Sequence, residues 1–170
     1  QMITGLIYYK NFIKKFPTIQ SLASASENTI YSTWKGLGYY NRAKNLLKTA
    51  KIITKKYNGK LPKNSKELIL LPGIGKYTAA AIASICYNEK IPVVDTNVYR
   101  VLSRYLGIFY NTSKSNSYNH YYNISKSITK NVSKMGEYNQ AIMDFGATIC
   151  TPKKPLCKNC LLILDCEAYQ

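Results

Sequence analysis

Leu71-Pro72-Gly73-Ile74-Gly75-Lys76 decides the fold, because it turns the chain sharply between two segments with helical character. Before this stretch, Asn64 and Glu67 stand three residues apart, a capping-box pattern that predicts a short helix over residues 65–70. After it, residues 76–87 are rich in alanine and predict a second helix. The two glycines let the backbone turn and approach a ligand closely, and the amides that precede a helix favour an anion. The pattern predicts a hairpin that either holds a phosphate or is a plain turn.

The rest of the chain also shows helical periodicity. Residues 40–57 carry the clearest apolar stripe, and Asn58-Gly59 ends it. Further helices are predicted over about 2–15, 26–35, 97–106, 120–134 and 137–149, with residues 91–94 extended and 109–119 a polar loop. No internal repeat or sheet pattern is present. We therefore predict an all-α fold with a helical region over 1–149 and a cysteine loop over 150–166.

The charge of the chain is strongly positive, with 24 Lys and Arg against 8 Asp and Glu, a formal net charge of +16. A protein this basic usually meets a polyanion, most often nucleic acid, although an AT-rich genome would also enrich lysine. The hairpin residues Leu71, Gly73, Gly75 and Lys76 are therefore candidates for gripping a DNA backbone. No stretch reaches the length of a membrane span and no signal peptide is present, which indicates a cytoplasmic protein without a membrane partner. We expect a monomer.

Four cysteines close the chain: Cys150, Cys157, Cys160 and Cys166. Their spacing lets four thiolates wrap a [4Fe–4S] cluster, in which each cysteine binds a different iron. A structural zinc site also takes four thiolates, but zinc ribbons usually show two Cys-x2-Cys pairs and only one is present. The spacing favours iron–sulfur. The fifth cysteine, Cys86, is predicted to be a small buried side chain.

Asp95 is one of the few acids and follows the apolar run Pro92-Val93-Val94. A carboxylate near a DNA groove is electrostatically costly, which suggests a task for it. Cleavage of a glycosidic bond passes through an oxocarbenium-like state that an aspartate can stabilise or attack. Asp95 could instead cap the helix that follows, and the two roles can coexist.

The stretch Gly36-Leu37-Gly38-Tyr39-Tyr40 places two aromatic residues on a glycine-rich turn. Such a turn can wedge a ring into a base stack and fill the gap that an extruded base leaves. Ordinary packing is the alternative, because the chain contains 16 tyrosines.

Together these features resemble the helix-hairpin-helix DNA glycosylases that carry an iron–sulfur cluster, and most closely the MutY family of adenine glycosylases. The matching segments occur in the family's order and span nearly the whole chain. They are residues 34–43, 71–79, 94–101 and 139–146, followed by the cysteine loop.

The resemblance implies a role for each of four residues. Asp95 would stabilise the oxocarbenium state or form a transient covalent acetal, and Asn97 would orient Asp95 or the incoming water. Tyr77 would lie in the adenine pocket. Tyr39 would be the wedge beside the oxidised guanine.

Tyr77 also separates two kinds of enzyme. In the related endonuclease III family the corresponding residue is a lysine that forms a Schiff base and cleaves the strand, which tyrosine cannot do. The resemblance therefore implies a monofunctional glycosylase. Thr96 departs from the pattern of the adenine enzymes, which usually have glycine at this position. Endonuclease III has threonine there. An endonuclease III-like lyase on oxidised pyrimidines and a non-catalytic iron–sulfur DNA-binding module remain as alternatives.

The family pattern extends past both ends of the chain. Gln1 matches the last residue of a Leu-Gln-Gln-Thr-Gln run that follows the family's general-acid glutamate, and the family's lesion-recognition domain would follow Gln170. We therefore expect the complete protein to remove adenine opposite 8-oxoguanine or guanine in the nucleoid of a bacterium. We expect the 170-residue chain to bind DNA with little cleavage.

Overall fold

The computed structural model describes residues 2–111 and 116–170, without the side chains of residues 2–4. The described residues form nine α-helices and two short 3₁₀ helices, and none lies in a strand, so the all-α prediction is confirmed. No helix among them is long and apolar enough to cross a membrane. The helices are α1 (Met2–Lys15), α2 (Ile19–Ala23), α3 (Glu27–Trp34), α4 (Tyr40–Lys56), α5 (Ser65–Leu68), α6 (Lys76–Tyr87), α7 (Thr96–Tyr105), α8 (Ser117–Ile128) and α9 (Met135–Thr148), and the 3₁₀ helices are Cys157–Asn159 and Ile163–Asp165.

The chain divides into two compact units, Gln1–Gly75 and Lys76–Gln170. In the first unit, α2 and α3 pack against α4. The apolar face of α4 contributes Ala43, Leu47 and Ala50 to a buried core with Phe16 and Ile30. Burial of this face explains why residues 40–57 show so regular a stripe.

In the second unit, α9 packs against both α6 and α7. One buried cluster joins Val94, Val98 and Leu102 to Tyr121 of α8. Val94 ends the extended segment before α7, so this core fixes where α7 begins.

One helix was not predicted, and the bounds of several others differ from the prediction. The five-residue helix α2 was not predicted, because it is too short to show an apolar stripe; Thr18 and Ser21 cap it reciprocally. Helix α8 starts at Ser117 instead of 120 and ends at Ile128 instead of 134. It stops where Thr129 turns its hydroxyl back onto the carbonyl of Ser125. Residues 112–115 of the predicted polar loop lie outside the described residues.

Cys86 was predicted to be buried, and this prediction is wrong. The thiol lies on an exposed face near the end of α6. The buried positions of α6 are Ala79, Ala80, Ala83 and Ser84, and Cys86 lies past the last of them, in the final turn of the helix, where residues 85–87 are all exposed.

Candidate functional site

Asp95 is held at the start of α7 by both of its carboxylate oxygens. Oδ1 accepts a hydrogen bond from the backbone N–H of Val98 at 2.8 Å, which makes Asp95 the N-cap of α7. Oδ2 accepts one from the Asn97 side-chain amide at 3.1 Å. The segment before Asp95 is also fixed, because Val93 donates its N–H to Asn139 at 3.0 Å. The carboxylate is therefore oriented before any ligand arrives.

Arg100 continues this arrangement toward the cysteine loop. One guanidinium nitrogen of Arg100 donates to Asn97 Oδ1 at 2.7 Å and to the carbonyl of Gly146 at 2.5 Å. The Nε–H of Arg100 donates to the carbonyl of Cys150 at 2.8 Å. A continuous chain of hydrogen bonds thus runs from Asp95 through Asn97 and Arg100 to the backbone of the first cysteine of the loop. The sequence analysis did not identify Arg100.

The charge of Asp95 affects the pKa of two tyrosines, Tyr77 and Tyr99. Burial raises the pKa of Tyr77, and the negative charge of Asp95 raises it further. Burial also raises the pKa of Tyr99, an effect that a hydrogen bond with Ser117 partly offsets and that Asp95 strengthens. The Tyr77 hydroxyl donates to Met143 Sδ at 3.6 Å. Both phenols are neutral at physiological pH and can act only as hydrogen-bond partners or apolar walls.

The two glycines of the hairpin differ in their surroundings. Gly73 has a φ of +78°, and a Cβ there would lie 2.7 Å from Cβ of Asn45 on α4. A Cβ on Gly75 would meet nothing within 4 Å, so the space beside Gly75 is open. The side chain of Leu71 is 4% exposed, which leaves only its backbone to contact a ligand.

Lys76 begins α6 in the second unit. Its ammonium group lies 5.0 Å from the ring centroid of Tyr118, a cation–π contact. Sequence reasoning placed Lys76 near phosphates, and the structure adds an aromatic partner for its charge.

Tyr39 lies in the first unit on the turn before α4. Its backbone is left-handed (φ 49°, ψ 48°), which is uncommon for a bulky residue, and its side chain is 78% exposed. The guanidinium of Arg42 lies 5.1 Å from the ring centroid. The turn is fastened by the Trp34 indole N–H, which donates to the carbonyl of Gly38 at 2.9 Å. An exposed ring on a strained, fastened turn has the form that a wedge requires.

The four C-terminal cysteines line one cavity of about 150 Å³, together with Arg104 and neighbouring apolar residues. All four are free thiols of intermediate exposure. Arg104 donates to Cys150 Sγ at 3.4 Å, and the backbone N–H of Leu162 donates to Cys160 Sγ at 3.4 Å. Donors of this kind stabilise thiolates that bind metal.

Among the described residues, no three His, Cys, Asp or Glu side chains come close enough to hold a single metal ion. Zinc requires four sulfurs at about 2.3 Å from one centre. A [4Fe–4S] cluster binds one thiolate at each iron, so its ligands surround a cavity and do not meet at a point. Four thiols that line one cavity are a donor set that suits such a cluster.

Comparisons with known proteins identify the family of the chain. Residues 2–126 match the family model described as HhH-GPD superfamily base excision DNA repair protein. The chain is 45% identical to adenine DNA glycosylase of Buchnera aphidicola subsp. Schizaphis graminum, over 98% of the chain and 48% of that protein. It is 40% identical to adenine DNA glycosylase of Mus musculus, over 100% of the chain and 33% of that protein. The chain thus spans about half or less of the length of these curated relatives.

Two solved structures share the fold. A thermostable thymine-DNA glycosylase superposes with a TM-score of 0.84 at 31% identity, over 95% of this chain and 74% of that one. Endonuclease III in a non-covalent complex with DNA superposes with a TM-score of 0.78 at 26% identity and the same coverage. The predicted helix-hairpin-helix fold is confirmed.

Proposed function

The chain belongs to the HhH-GPD superfamily of base excision DNA repair proteins, and we propose that it forms the catalytic region of a monofunctional adenine DNA glycosylase. The substrate would be duplex DNA in which adenine is mispaired with 8-oxoguanine or guanine. The reaction is hydrolysis: the bond between adenine and C1′ of the sugar breaks, and water supplies the new oxygen at C1′. The curated relatives named adenine DNA glycosylase support this choice of base.

The prearranged carboxylate of Asp95 carries the proposal. As the glycosidic bond breaks, positive charge develops on the sugar, and a fixed negative charge nearby stabilises that state without reorganisation. Two hydrogen bonds already orient Asp95, one from the amide of Asn97 and one from the backbone of Val98. Asn97 has its own carbonyl oxygen engaged by Arg100, so its amide group is turned toward Asp95. In this scheme Asn97 positions the carboxylate and Tyr77 forms a neutral wall of the adenine pocket.

The other predicted sites fit the same scheme as proposals. The hairpin residues Leu71, Gly73, Gly75 and Lys76 would grip the DNA backbone through amides and the one lysine charge. Tyr39 would fill the gap in the base stack. We propose that the protein acts as a monomer in the bacterial cytoplasm, at the nucleoid.

We also propose that Cys150, Cys157, Cys160 and Cys166 hold a [4Fe–4S] cluster. When bound, the cluster would close the C-terminal loop through four iron–thiolate bonds. Arg104 would neutralise part of the thiolate charge, since it donates to Cys150 Sγ and to the carbonyls of Thr151 and Pro152. The domain limits 1–149 and 150–166 belong to this proposal.

The test measures adenine release from a duplex with one A·8-oxoguanine pair, with the complete protein and its Asp95→Asn variant. Asparagine caps helices as well as aspartate does, so the variant should keep the fold while it loses the negative charge and the oxygen that accepts from the Asn97 amide. We expect release to fall by at least about 100-fold. Undiminished release by a folded Asp95→Asn variant would contradict the mechanism.

A second candidate, a lyase on oxidised pyrimidines, is favoured by the likeness to endonuclease III and by Lys76 beside Tyr77. A lyase forms a Schiff base between an amine and the sugar, which borohydride reduces to a stable adduct. Trapping of an adduct that disappears in Lys76→Gln would replace the adenine glycosylase with this activity.

A further inference from the structure

We propose that one face of α4, made by Lys44, Lys48, Lys51 and Lys55, binds backbone phosphates of duplex DNA beyond the mismatched pair. We call these four residues the lysine face. The inference rests on duplex DNA being the ligand of the proposed function, and adds to it a second contact region outside the hairpin and the catalytic aspartate.

The positive charge of the protein is unevenly distributed. Residues 1–75 contain 13 Lys and Arg against 2 Asp and Glu, a net charge of +11. Residues 76–170 contain 11 against 6, a net charge of +5, and the two values add to the total of +16. Helix α4 alone carries six basic residues and no acid. A composition bias toward lysine would not by itself exclude acids from one helix.

The spacing of the lysine face places its members in one row. Steps of four, three and four residues bring successive side chains to the same side of a helix. All four lysines are exposed, while Ala43, Leu47, Ala50 and Ile53 of α4 are buried. Like charges at these spacings repel one another, so the row lowers the stability of the helix. Within the described residues, Lys134 forms a salt bridge with Glu137, and no salt bridge joins an acid to the lysine face.

The length of the row suits a DNA duplex. Lys44 and Lys55 are separated by 11 residues, or about 16 Å along a helix at 1.5 Å per residue. Duplex DNA advances about 3.4 Å per phosphate on each strand, so the row matches about five base-pair steps. A rigid row of four cations along this distance can contact several phosphates at once.

The same helix is fastened to the hairpin. Thr49 Oγ1 donates to the carbonyl of Pro72 at 2.8 Å, and the backbone of Gly73 approaches Asn45 closely. Asn45 and Thr49 directly follow Lys44 and Lys48 in α4. The lysine face therefore begins beside the hairpin, and a backbone held by the hairpin amides could continue along it.

The test compares two variants that each lose four positive charges. One carries Lys44→Gln, Lys48→Gln, Lys51→Gln and Lys55→Gln. The control carries Lys14→Gln, Lys15→Gln, Lys126→Gln and Lys130→Gln, exposed lysines on α1 and in or just after α8. Glutamine favours helix as lysine does, so both variants should fold, as circular dichroism would show.

The measurement is affinity for an undamaged duplex of about 30 base pairs, by fluorescence anisotropy between about 50 and 200 mM salt. Each lost phosphate contact lowers the slope of log affinity against log salt by about 0.9. We expect the lysine-face variant to lose about two to four units of slope and the control less than one. Arginine at the same four positions should restore the slope.

Equal losses in the two glutamine variants would overturn the proposal, because net charge alone would then explain the binding. An unchanged slope in the lysine-face variant would also overturn it, and would leave the face to solvent or to an acidic protein. Adenine release is measured separately with the unaltered complete protein. Absence of release would defeat the proposed function and leave the slope comparison valid.

Discussion

At the scale of single residues, Arg100 links two features that the sequence separates by 50 positions. Its guanidinium contacts Asn97, which orients Asp95, and also the carbonyl of Cys150. Arg104, one turn later on α7, donates hydrogen bonds to the cysteine loop. Among the described residues it makes no hydrogen bond to Asn97. The two arginines therefore form a matched pair for testing what orientation of Asp95 contributes.

We predict that Arg100→Gln lowers adenine release from bound DNA more than Arg104→Gln does. Both variants weaken the cysteine loop, but only Arg100→Gln frees Asn97 to rotate away from Asp95. Single-turnover release at saturating protein, with thermal unfolding measured in parallel, separates the two effects. Equal losses of release at equal stability would show that Asn97 does not need Arg100.

Sequence reasoning singled out Asp95 because it is one of the few acids and follows an apolar run, and the family resemblance added Asn97. It did not identify Arg100 or Tyr99. Tyr99 stands four residues after Asp95, and Arg100 stands three residues after Asn97, so a helical spacing was available as a signal. The bonds from Arg100 to Gly146 and Cys150, however, cross 46 and 50 residues. Such contacts are set by the packing of α7 on α9 and leave no local pattern.

At the scale of elements, the two hairpin glycines should respond differently to alanine. Gly73→Ala places a side chain at positive φ and against Asn45, and should lower the free energy of unfolding by about 2 kcal/mol. Gly75→Ala meets open space and should leave stability within about 0.5 kcal/mol. Because its methyl group would stand where a phosphate approaches, Gly75→Ala should weaken duplex binding. Urea denaturation and anisotropy measure the two effects, and full duplex affinity in Gly75→Ala would count against the phosphate contact.

Asn139 holds three elements of the second unit together. It is fully buried, accepts from the N–H of Val93, and donates to Ser84 Oγ and the carbonyl of Ile91. Asn139→Ala leaves the N–H of Val93 and the carbonyl of Ile91 without this partner, while Ser84 keeps its bond to the carbonyl of Ala80, and we expect the free energy of unfolding to fall by about 3 kcal/mol. The exposed neighbour Gln140→Ala is the control and should change stability little. Chemical denaturation measures the free energy of unfolding of both variants. If Asn139→Ala lowered it as little as Gln140→Ala, water would have replaced the lost hydrogen bonds.

The bounds of a helix could be predicted where the contacts that set them are local in the sequence. The stripe of α4 predicted its bounds within one residue, because local periodicity and burial coincide. Helix α9 begins two residues before the predicted 137, where Asn88 Oδ1 accepts the N–H of Met135 at 2.9 Å from 47 positions away. A cap supplied from so far along the chain cannot be inferred from neighbouring residues.

At the scale of the whole molecule, we predict that stability falls in alkaline solution. Burial is the largest cause of the raised pKa of five tyrosines in the second unit, Tyr77, Tyr99, Tyr118, Tyr122 and Tyr138. A raised pKa in the folded state gives stability that is complete below the unfolded value and lost as pH rises through the folded value. The unfolding midpoint should therefore be constant up to about pH 10 and fall above it.

Denaturant titrations from neutral to alkaline pH check this expectation, with Tyr138→Phe as the comparison. Phenylalanine cannot ionise, so the variant should lose less stability above pH 10 than the unaltered chain. Parallel alkaline losses in the two proteins would exclude Tyr138 as a contributor.

The division into two units was not apparent from the sequence. Composition and spacing predicted a helical region over 1–149 with a separate loop, and those limits stay a prediction. The structural boundary falls after Gly75, between the hairpin and α6, inside the motif that the sequence presents as continuous. Only the pattern of long-range packing distinguishes the two sides.

Asp95 caps α7, and together with its proposed role in stabilising the sugar cation this has a genetic consequence. Substitutions that cannot cap α7 should destabilise the second unit, and cells would degrade such proteins, so these alleles should be recessive. The Asp95→Asn allele would be different, because asparagine starts the helix as well as aspartate does. A cell carrying that allele would accumulate a folded protein that occupies mismatches without resolving them. It would shield them from the normal copy, so this one substitution should behave as dominant.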